Sequence, residues 1–258
     1  MDALVTAGGI PTPDDPLYQY SLGKPKAMIE MAGKPMIQWV LDALGSATQV
    51  DNVVLVGLDE SSKVNCSKPL HFIANQGEMI DNIKIGTQKV LEINPKAKLL
   101  LAVSSDIPTI TADMVDWAIE NCQKGDYALY YNVVERSVME KRFPGANRSY
   151  LKLKDIQVCG GDMNAFALWT VSAKKNLWDK LAASRKSVLK QAALIGYDTL
   201  LLVYFRLIGL DQAAAKFSKK IKIPSRAVLC PFAEIAMDVD KPHQFQLVRD
   251  DLERKSTK

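Results

Sequence analysis

The stretch Lys98–Pro108, KLLLAVSSDIP, decides the predicted fold. Its apolar run, Lys98–Val103, predicts a buried strand that ends at a Ser-Ser-Asp sequence. Similar apolar runs occur at Ala3–Thr6 and Asn52–Gly57, and helical periodicity occurs between them at Met36–Leu44. Continuous apolar strands that are separated by helices are typical of a parallel sheet covered on both faces. The first half of the chain therefore predicts an α/β fold.

The second half of the chain has a different pattern. Tyr127–Val134 and Tyr150–Val158 alternate in polarity like antiparallel strands, and Phe166–Val171 continues the pattern. A helical insertion follows at about 172–220, and a last strand and a closing helix come after it. We predict a single domain over residues 1–258, in which helices cover a mixed, mostly parallel sheet in three layers.

The composition excludes several classes of protein. Apolar residues make up 48% and charged residues 24% of the chain, which excludes disorder, collagen-like repeats and a coiled coil. Thirty-three basic against 29 acidic residues give a net charge of +4, and we expect no nucleic-acid partner from so small a surplus. The N-terminal MDALVTAGG lacks the features of a signal peptide, so we expect a cytoplasmic protein. The cysteines form no CxxC motif, which disfavours a zinc site or a disulfide framework: Cys66, Cys122, Cys159 and Cys230.

The apolar segment 192–210 approaches the length of a membrane-spanning helix. Asp198 and Arg206 lie within it, and charges at such positions disfavour insertion. We expect Thr199–Leu210 to be one helix, buried in the protein or in a homodimer contact. A peripheral membrane contact is the alternative, because basic residues on both sides of the block 186–217 suit anionic headgroups.

Three strand ends carry residues that could do chemistry, because ligands of open α/β sheets bind at the carboxyl ends of the strands. Gly8 and Gly9 follow the first strand and could present backbone N–H groups to phosphate oxygens. The surrounding sequence is neither a dinucleotide fingerprint nor a P-loop, so a plain turn is the alternative.

Aspartates follow the other two strand ends. Asp106 could bind Mg²⁺ at the end of Lys98–Val103, or it could serve as an N-cap-like residue of the next helix. Asp238 and Asp240 alternate on an extended segment, so we expect them to face opposite sides. Only one of them would then join Asp106 in a metal site.

These segments, in their order, resemble a known family. The chain is similar to the NTP-transferase (nucleotidyltransferase) family of GT-A fold, also called the nucleotide-diphospho-sugar transferase fold, and within it to proteins like molybdenum cofactor guanylyltransferase. The similar segments are VTAGG, GKPKAMIEMAGKPMIQWVLDAL, SSDIP, GGDMNAF and MDVDKP. The resemblance implies transfer of an NMP from an NTP to a phosphorylated or hydroxyl acceptor, with Mg²⁺ as the cofactor and release of pyrophosphate. The implied partners are an NTP and a small-molecule acceptor.

The resemblance also implies roles for individual residues. Lys26 would reach the α-phosphate, while Asp106 and Asp240 would bind Mg²⁺, and these three are the expected catalytic residues. The glycine loop and a later segment would bind the nucleotide, through Ala7, Gly8, Gly9, Gly77 and Asn82. Gly161 and Asn164 would lie near the acceptor.

The glycine loop departs from the family pattern. In the family the glycine loop continues into a basic residue, usually Arg, that binds the β- and γ-phosphates. Here the loop is longer, carries Asp14 and Asp15, and leaves Lys24 as the basic candidate. Two alternatives stay open: a nucleotide-binding or regulatory protein without turnover, and a sugar transferase that binds its metal through Asp238 and Asp240.

Overall fold

The computed structural model describes residues 1–173, residue 178 and residues 197–256. The strands of the described chain are β1 (Ala3–Thr6), β2 (Glu30–Met31), β3 (Lys34–Pro35), β4 (Val53–Val56), β5 (Leu70–Ile73), β6 (Leu99–Ser104), β7 (Leu129–Glu135), β8 (Leu151–Lys152), β9 (Gln157–Gly160), β10 (Met163–Ala167) and β11 (Ser225–Cys230). The helices are α1 (Tyr18–Ser21), α2 (Met36–Ser46), α3 (Met79–Ile93), α4 (Ala112–Gln123), α5 (Arg136–Arg142), α6 (Trp169–Ala173), α7 (Tyr197–Tyr204), α8 (Leu210–Ile221) and α9 (Pro242–Ser256). Short 3₁₀ helices lie at Lys26–Met28, Glu60–Ser62 and Ala233–Ala236.

The main sheet has nine strands in the order β5-β4-β1-β6-β10-β7-β9-β8, with β11 paired to β7. The pairs among β5, β4, β1 and β6 are parallel, and β11 is parallel to β7. Strands β9 and β10 pair antiparallel with their neighbours and run opposite to the rest. The predicted mixed, mostly parallel sheet is therefore confirmed.

The buried strands divide their side chains between the two faces of the sheet. Val5 and Leu55 pack in the larger core cluster, which includes residues of α2 and α4. Leu4 and Val54 point the other way, into a cluster with Val90 of α3. Because successive side chains of a strand alternate between faces, a strand without polar positions needs helices on both sides. This explains why β1, β4 and β6 are apolar up to their carboxyl ends.

Two predicted strands have different boundaries in the structure. Tyr150–Val158 is not one strand, because a turn closed by Leu153 N–H and the Ile156 carbonyl (2.9 Å) separates β8 from β9. Phe166–Val171 is strand only to Ala167, where α6 follows.

The predicted helix Thr199–Leu210 is wrong at its centre. Helix α7 ends at Tyr204, and Arg206 has a φ of +55°, which an α-helix cannot contain. Gly209 then caps α8, and its backbone N–H donates to the Gln212 side chain at 3.2 Å. The insertion is therefore broken by a turn. Residues 174–177 and 179–196 of the predicted insertion lie outside the described residues.

The apolar side chains at this turn are not buried as expected. Ile208 is buried, but Leu201, Phe205 and Leu207 are 58%, 63% and 59% exposed. A subunit or membrane contact of this surface stays a prediction. In the part of the chain that the structure describes, no helix is both long enough and apolar enough to cross a membrane.

Candidate active site

Backbone hydrogen bonds bring distant acidic segments to the carboxyl end of β6. Ser104, the last residue of β6, donates its backbone N–H to the carbonyl of Asp162 at 2.9 Å. Asp162 donates its own N–H to the carbonyl of Ile235 at 2.8 Å, and Val239 donates to the carbonyl of Asp106 at 3.0 Å. The SSDIP, GGDMNAF and MDVDKP segments therefore meet at one point.

The ammonium of Lys26 lies between two carboxylates at this point. Its Nζ donates to Asp106 Oδ2 and to Asp240 Oδ1, each at 2.5 Å. The main chain of Lys26 begins a 3₁₀ helix and donates its N–H to the carbonyl of Gly9 at 2.8 Å. Ser104 Oγ donates to the second oxygen of Asp106 at 2.5 Å. The structure thus brings together the three side chains that were predicted to be catalytic.

An arginine lies between two further aspartates beside this group. Arg148 forms an ion pair with Asp238, and its Nη2 lies 3.9 Å from Asp162 Oδ2. The carboxyl groups of Asp238 and Asp240 also lie close enough for each to shift the pKa of the other. The expectation that Asp238 and Asp240 face opposite sides is therefore wrong. Residues 237–240 follow a 3₁₀ helix and belong to no strand, so strand alternation does not apply to them.

The charges shift several pKa values in the cluster. Burial alone would lower the pKa of Lys26, but Asp106 and Asp240 outweigh burial and raise it above its ordinary value. Burial alone would raise the pKa of Asp240, but the charge of Lys26 lowers it. Burial and the neighbouring carboxylates raise the pKa values of Asp162 and Asp238. The cluster contains more acidic than basic side chains, so it favours the binding of a cation.

The glycine loop is held by close backbone contacts. Ala7 donates its N–H to the carbonyl of Val56, the last residue of β4, at 2.8 Å. A Cβ on Gly8 would lie 2.6 Å from Asn75 Oδ1, whereas nothing lies within 4 Å of a Cβ on Gly9. A side chain on Gly8 would therefore have to displace the Asn75 amide, whereas Gly9 lies in open space.

The segment after β5 is ordered by two asparagines. Asn82 is buried, donates to Asn75 Oδ1 at 3.0 Å and accepts the backbone N–H of Gln76 at 2.7 Å. Asn75 in turn donates to the carbonyl of Gly8 at 3.0 Å and accepts from the N–H of Gly77 at 3.0 Å. Asn82 and Gly77 thus lie beside the glycine loop, as expected of nucleotide-binding positions, but their role stays a prediction.

The two predicted acceptor residues lie where β10 meets β7. Asn164 accepts the backbone N–H of Asn132 at 2.8 Å and donates to the carbonyl of Gly161 at 2.8 Å. Gly161 donates to the carbonyl of Asn132 at 2.8 Å. The amide of Asn164 therefore shapes the backbone next to Asp162. Direct contact of Asn164 with an acceptor stays a prediction.

Lys24 does not join the cluster. Its side chain is exposed, and its backbone N–H donates to the carbonyl of Ser21 at 2.9 Å. The long loop before it is fixed to α9, because Leu17 is buried and Tyr20 stacks on Phe245 with ring centroids 4.2 Å apart. The role of Lys24 at the β- and γ-phosphates stays a prediction.

Sequence comparison assigns the chain to a family. The family described as MobA-like NTP transferase domain matches residues 18–194. The chain belongs to this family. No curated protein matches the sequence significantly.

Solved structures agree with an NTP transferase fold. A hypothetical transferase from Thermus thermophilus is 25% identical, with a TM-score of 0.81 over 95% of this chain and 98% of that chain. CMP:2-keto-3-deoxy-manno-octonic acid synthetase, solved with CTP, is 14% identical, with a TM-score of 0.61 over 98% of both chains. A 4-diphosphocytidyl-2C-methyl-D-erythritol synthase from Anaerococcus prevotii is 13% identical, with a TM-score of 0.59 over 98% of this chain and 96% of that chain. The last two show the fold alone, and they confirm its GT-A type.

Sequence reasoning missed two residues of this NTP transferase site. Arg148 comes from the loop after α5, where no motif marks it. Asn75 stands next to the predicted nucleotide segment, in NQGEMIDN, and its position before Gly77 was the available signal. Arg148 contacts the acidic cluster, and Asn75 contacts the glycine loop, each through a tertiary contact.

Proposed function

We propose that this protein is a Mg²⁺-dependent nucleotidyltransferase. An acceptor oxygen forms a bond to the α-phosphorus of an NTP, while the bond to the bridging oxygen breaks and pyrophosphate leaves with the electron pair. One observation carries the proposal: Lys26 Nζ lies 2.5 Å from carboxylate oxygens of both Asp106 and Asp240, at the carboxyl end of β6. Membership in the NTP transferase family and the CTP complex of a chain with this fold support a nucleotide substrate.

The residues at this position fit a magnesium ion. Asp106 and Asp240 offer the hard oxygen ligands that Mg²⁺ prefers, and the Lys26 ammonium is a stand-in cation between them. Among the residues that the structure describes, no three His, Cys, Asp or Glu side chains are arranged to hold a metal by themselves. This agrees with Mg²⁺, which usually takes one or two carboxylates and completes its shell with phosphate oxygens and water. When bound, it would neutralise negative charge that develops around the α-phosphorus.

The protein's own groups position the substrates and supply charge. Phosphoryl transfer needs little covalent chemistry from the enzyme, so positioning and electrostatic stabilisation carry the catalysis. Lys26 brings its positive charge to the α-phosphate. The loop of Gly8 and Gly9 holds the nucleotide from one side, and the segment ordered by Asn82 holds the base. The acceptor enters beside Gly161, where β10 meets β7.

Nucleotide binding and pyrophosphate release test the proposal. Thermal unfolding with ATP, GTP, CTP and UTP, each with and without Mg²⁺, identifies the nucleotide, because a bound ligand raises the unfolding temperature. Pyrophosphate release is then measured with that nucleotide and a set of phosphorylated and hydroxyl acceptors. We expect Asp106→Asn and Asp240→Asn to lower release by roughly a hundredfold or more. Asp113→Asn, an exposed aspartate in the first turn of α4, is the control and should retain activity.

Other outcomes separate the alternatives. Nucleotide binding without pyrophosphate release from any acceptor would support a regulatory protein. Hydrolysis of a nucleotide-sugar, with no use of free NTP, would support a sugar transferase. Full activity in Asp106→Asn would contradict the proposed metal site.

A further inference from the structure

We infer that Lys26 is a placeholder cation: without nucleotide its ammonium occupies the metal position between Asp106 and Asp240, so that Mg²⁺ binds with the NTP and not alone. This inference rests on the proposed function. It adds an order of binding and a second role for Lys26, besides its contact with the α-phosphate.

The ammonium of Lys26 already occupies the position between the two carboxylates. Its Nζ takes one oxygen of Asp106 and one of Asp240, each at 2.5 Å. The other oxygen of Asp106 is held by Ser104 Oγ at 2.5 Å, so that carboxylate cannot simply turn a free oxygen to a metal. A divalent cation between the carboxylates would lie next to the ammonium and be repelled by it. Free Mg²⁺ must therefore displace the lysine.

The lysine can leave this position only for another anionic partner. Its Nζ lies 2.5 Å from an oxygen of each carboxylate, and a cation that gives up two such ion pairs needs a replacement for them. The α-phosphate of an NTP is such a partner, and the carboxylates then become available to the metal that the NTP brings.

The local structure permits this exchange without main-chain movement. The backbone of Lys26 is fixed by the Gly9 carbonyl and by the 3₁₀ helix that it begins, whereas four methylene groups separate the ammonium from that anchor. The ammonium and the metal thus exchange partners: lysine passes from carboxylate to phosphate, and the carboxylates pass from lysine to metal. Because binding linkage is reciprocal, metal and nucleotide each increase the affinity for the other.

Direct Mn²⁺ binding tests the exchange without any turnover. Mn²⁺ affinity is measured by electron paramagnetic resonance for the wild type, Lys26→Met and Lys89→Met. Each protein is tested alone and with a non-hydrolysable analogue of the NTP that it binds. Lys89 is the matched control, since it is also ion-paired, to Glu92 at 3.2 Å, but lies on α3.

For the wild type and Lys89→Met, we expect the nucleotide analogue to tighten Mn²⁺ binding by roughly tenfold or more. Without nucleotide, Lys26→Met should bind Mn²⁺ roughly tenfold more tightly than the wild type, because the competing charge is gone. The analogue should then tighten Mn²⁺ binding to Lys26→Met far less than to the wild type. Lys26→Gln is the second neutral variant, in case Lys26→Met does not fold.

Two results would overturn different claims. Equal Mn²⁺ affinity of the wild type and both Lys26 variants without nucleotide would overturn the placeholder role. If Asp240→Asn then lost Mn²⁺ binding, the proposed metal site itself would still be supported. No Mn²⁺ binding to the wild type with nucleotide, nor to either Lys26 variant, would overturn the metal site of the proposed function itself.

Discussion

Gly57 packs directly on Gly8: a Cβ built on Gly57 would lie 2.3 Å from the amide nitrogen of Gly8. Gly57 also has a φ of +111°, a conformation that side-chain-bearing residues rarely adopt. The residue after β4 therefore supports the loop after β1 through its backbone, and a side chain there would push the loop away.

Replacement of Gly57 should disturb both stability and nucleotide binding. We expect Gly57→Ala to lower the free energy of unfolding by about 1–3 kcal/mol, because overpacking and the positive φ both oppose the methyl group. Urea unfolding measures this, and the nucleotide affinity should fall with it. Gly9→Ala is the stability control, since nothing lies within 4 Å of its Cβ. Equal stability of the two variants would contradict the packing argument.

The ion pairs of Arg142 should stabilise the fold. Its guanidinium donates two hydrogen bonds to Asp251, at 2.9 and 2.6 Å, and one to Glu234 at 2.7 Å. Both acids are buried, so Arg142→Met leaves two buried carboxylates without this partner, which costs roughly 3–5 kcal/mol of unfolding free energy. Arg136→Met, at a half-exposed arginine of the same helix, should cost less than about 1 kcal/mol.

The effect of Arg142→Met should depend on pH. Burial alone would raise the pKa of Asp251, but Arg142 and Lys255 outweigh burial and hold it below its ordinary value. A lowered pKa in the folded state means that the stabilisation is present above the unfolded pKa, near 4, and is lost as the pH falls through the folded pKa. The stability difference between wild type and Arg142→Met should therefore be largest near pH 7 and shrink below about pH 4. A constant difference across this range would contradict the assignment.

Loss of the Asp238 side chain should mainly affect stability, whereas loss of the Asp240 side chain should mainly affect activity. Asp238 is buried on Arg148, so Asp238→Ala should lower the free energy of unfolding by about 1–3 kcal/mol. Asp240 is more exposed and contacts Lys26, so Asp240→Ala should mainly abolish pyrophosphate release. Unfolding and release assays on both variants check this. Equal and complete loss of release in both, with the fold intact, would show that Asp238 is also a ligand.

The exposed surface of the α7–α8 turn gives a fifth test. Leu201→Asp and Phe205→Asp should each change the unfolding free energy by less than about 0.5 kcal/mol, because both side chains are more than half exposed. Ile208→Ala, at a buried position of the same turn, should cost about 2–4 kcal/mol.

Sedimentation of the same variants tests the contact predicted for this surface. A wild-type dimer that becomes a monomer in Leu201→Asp would support the subunit contact. Pelleting with anionic vesicles, lost in Phe205→Asp, would support the membrane alternative. A wild-type monomer that does not pellet would contradict both.

The sequence predicted those parts of the molecule that depend on local patterns of apolar and polar residues. Strands β1, β4 and β6 are apolar except at the last residues of β1 and β6, Thr6 and Ser104, because helices cover both of their faces, and no tertiary knowledge is needed to recognise them. Asp106 was recognised because it follows a predicted strand, whereas Lys26 and the choice of Asp240 came from the resemblance to the NTP-transferase family. Parallel strands that end at one edge placed Asp106 there, whereas the positions of Lys26 and Asp240 depend on segments that belong to no strand.

The remaining features depend on contacts that no local pattern records. Arg148 reaches Asp238 across the fold from a loop without a motif. The alternation rule failed for Asp238 and Asp240 because their segment is not a strand, although it reads as one. Arg206 interrupts a predicted helix through its positive φ, which no local sequence pattern announces.

The distance along the chain between the site's charged partners has a consequence for protein synthesis. Lys26 is separated from Asp106 by 80 positions and from Asp240 by 214. Chains fold from the N-terminus as they leave the ribosome, so the glycine loop, the lysine and the first carboxylate emerge long before the second carboxylate. A nascent chain that stops short of residue 240 carries a lysine with one partner, and the cation position is completed only after Asp240 has emerged.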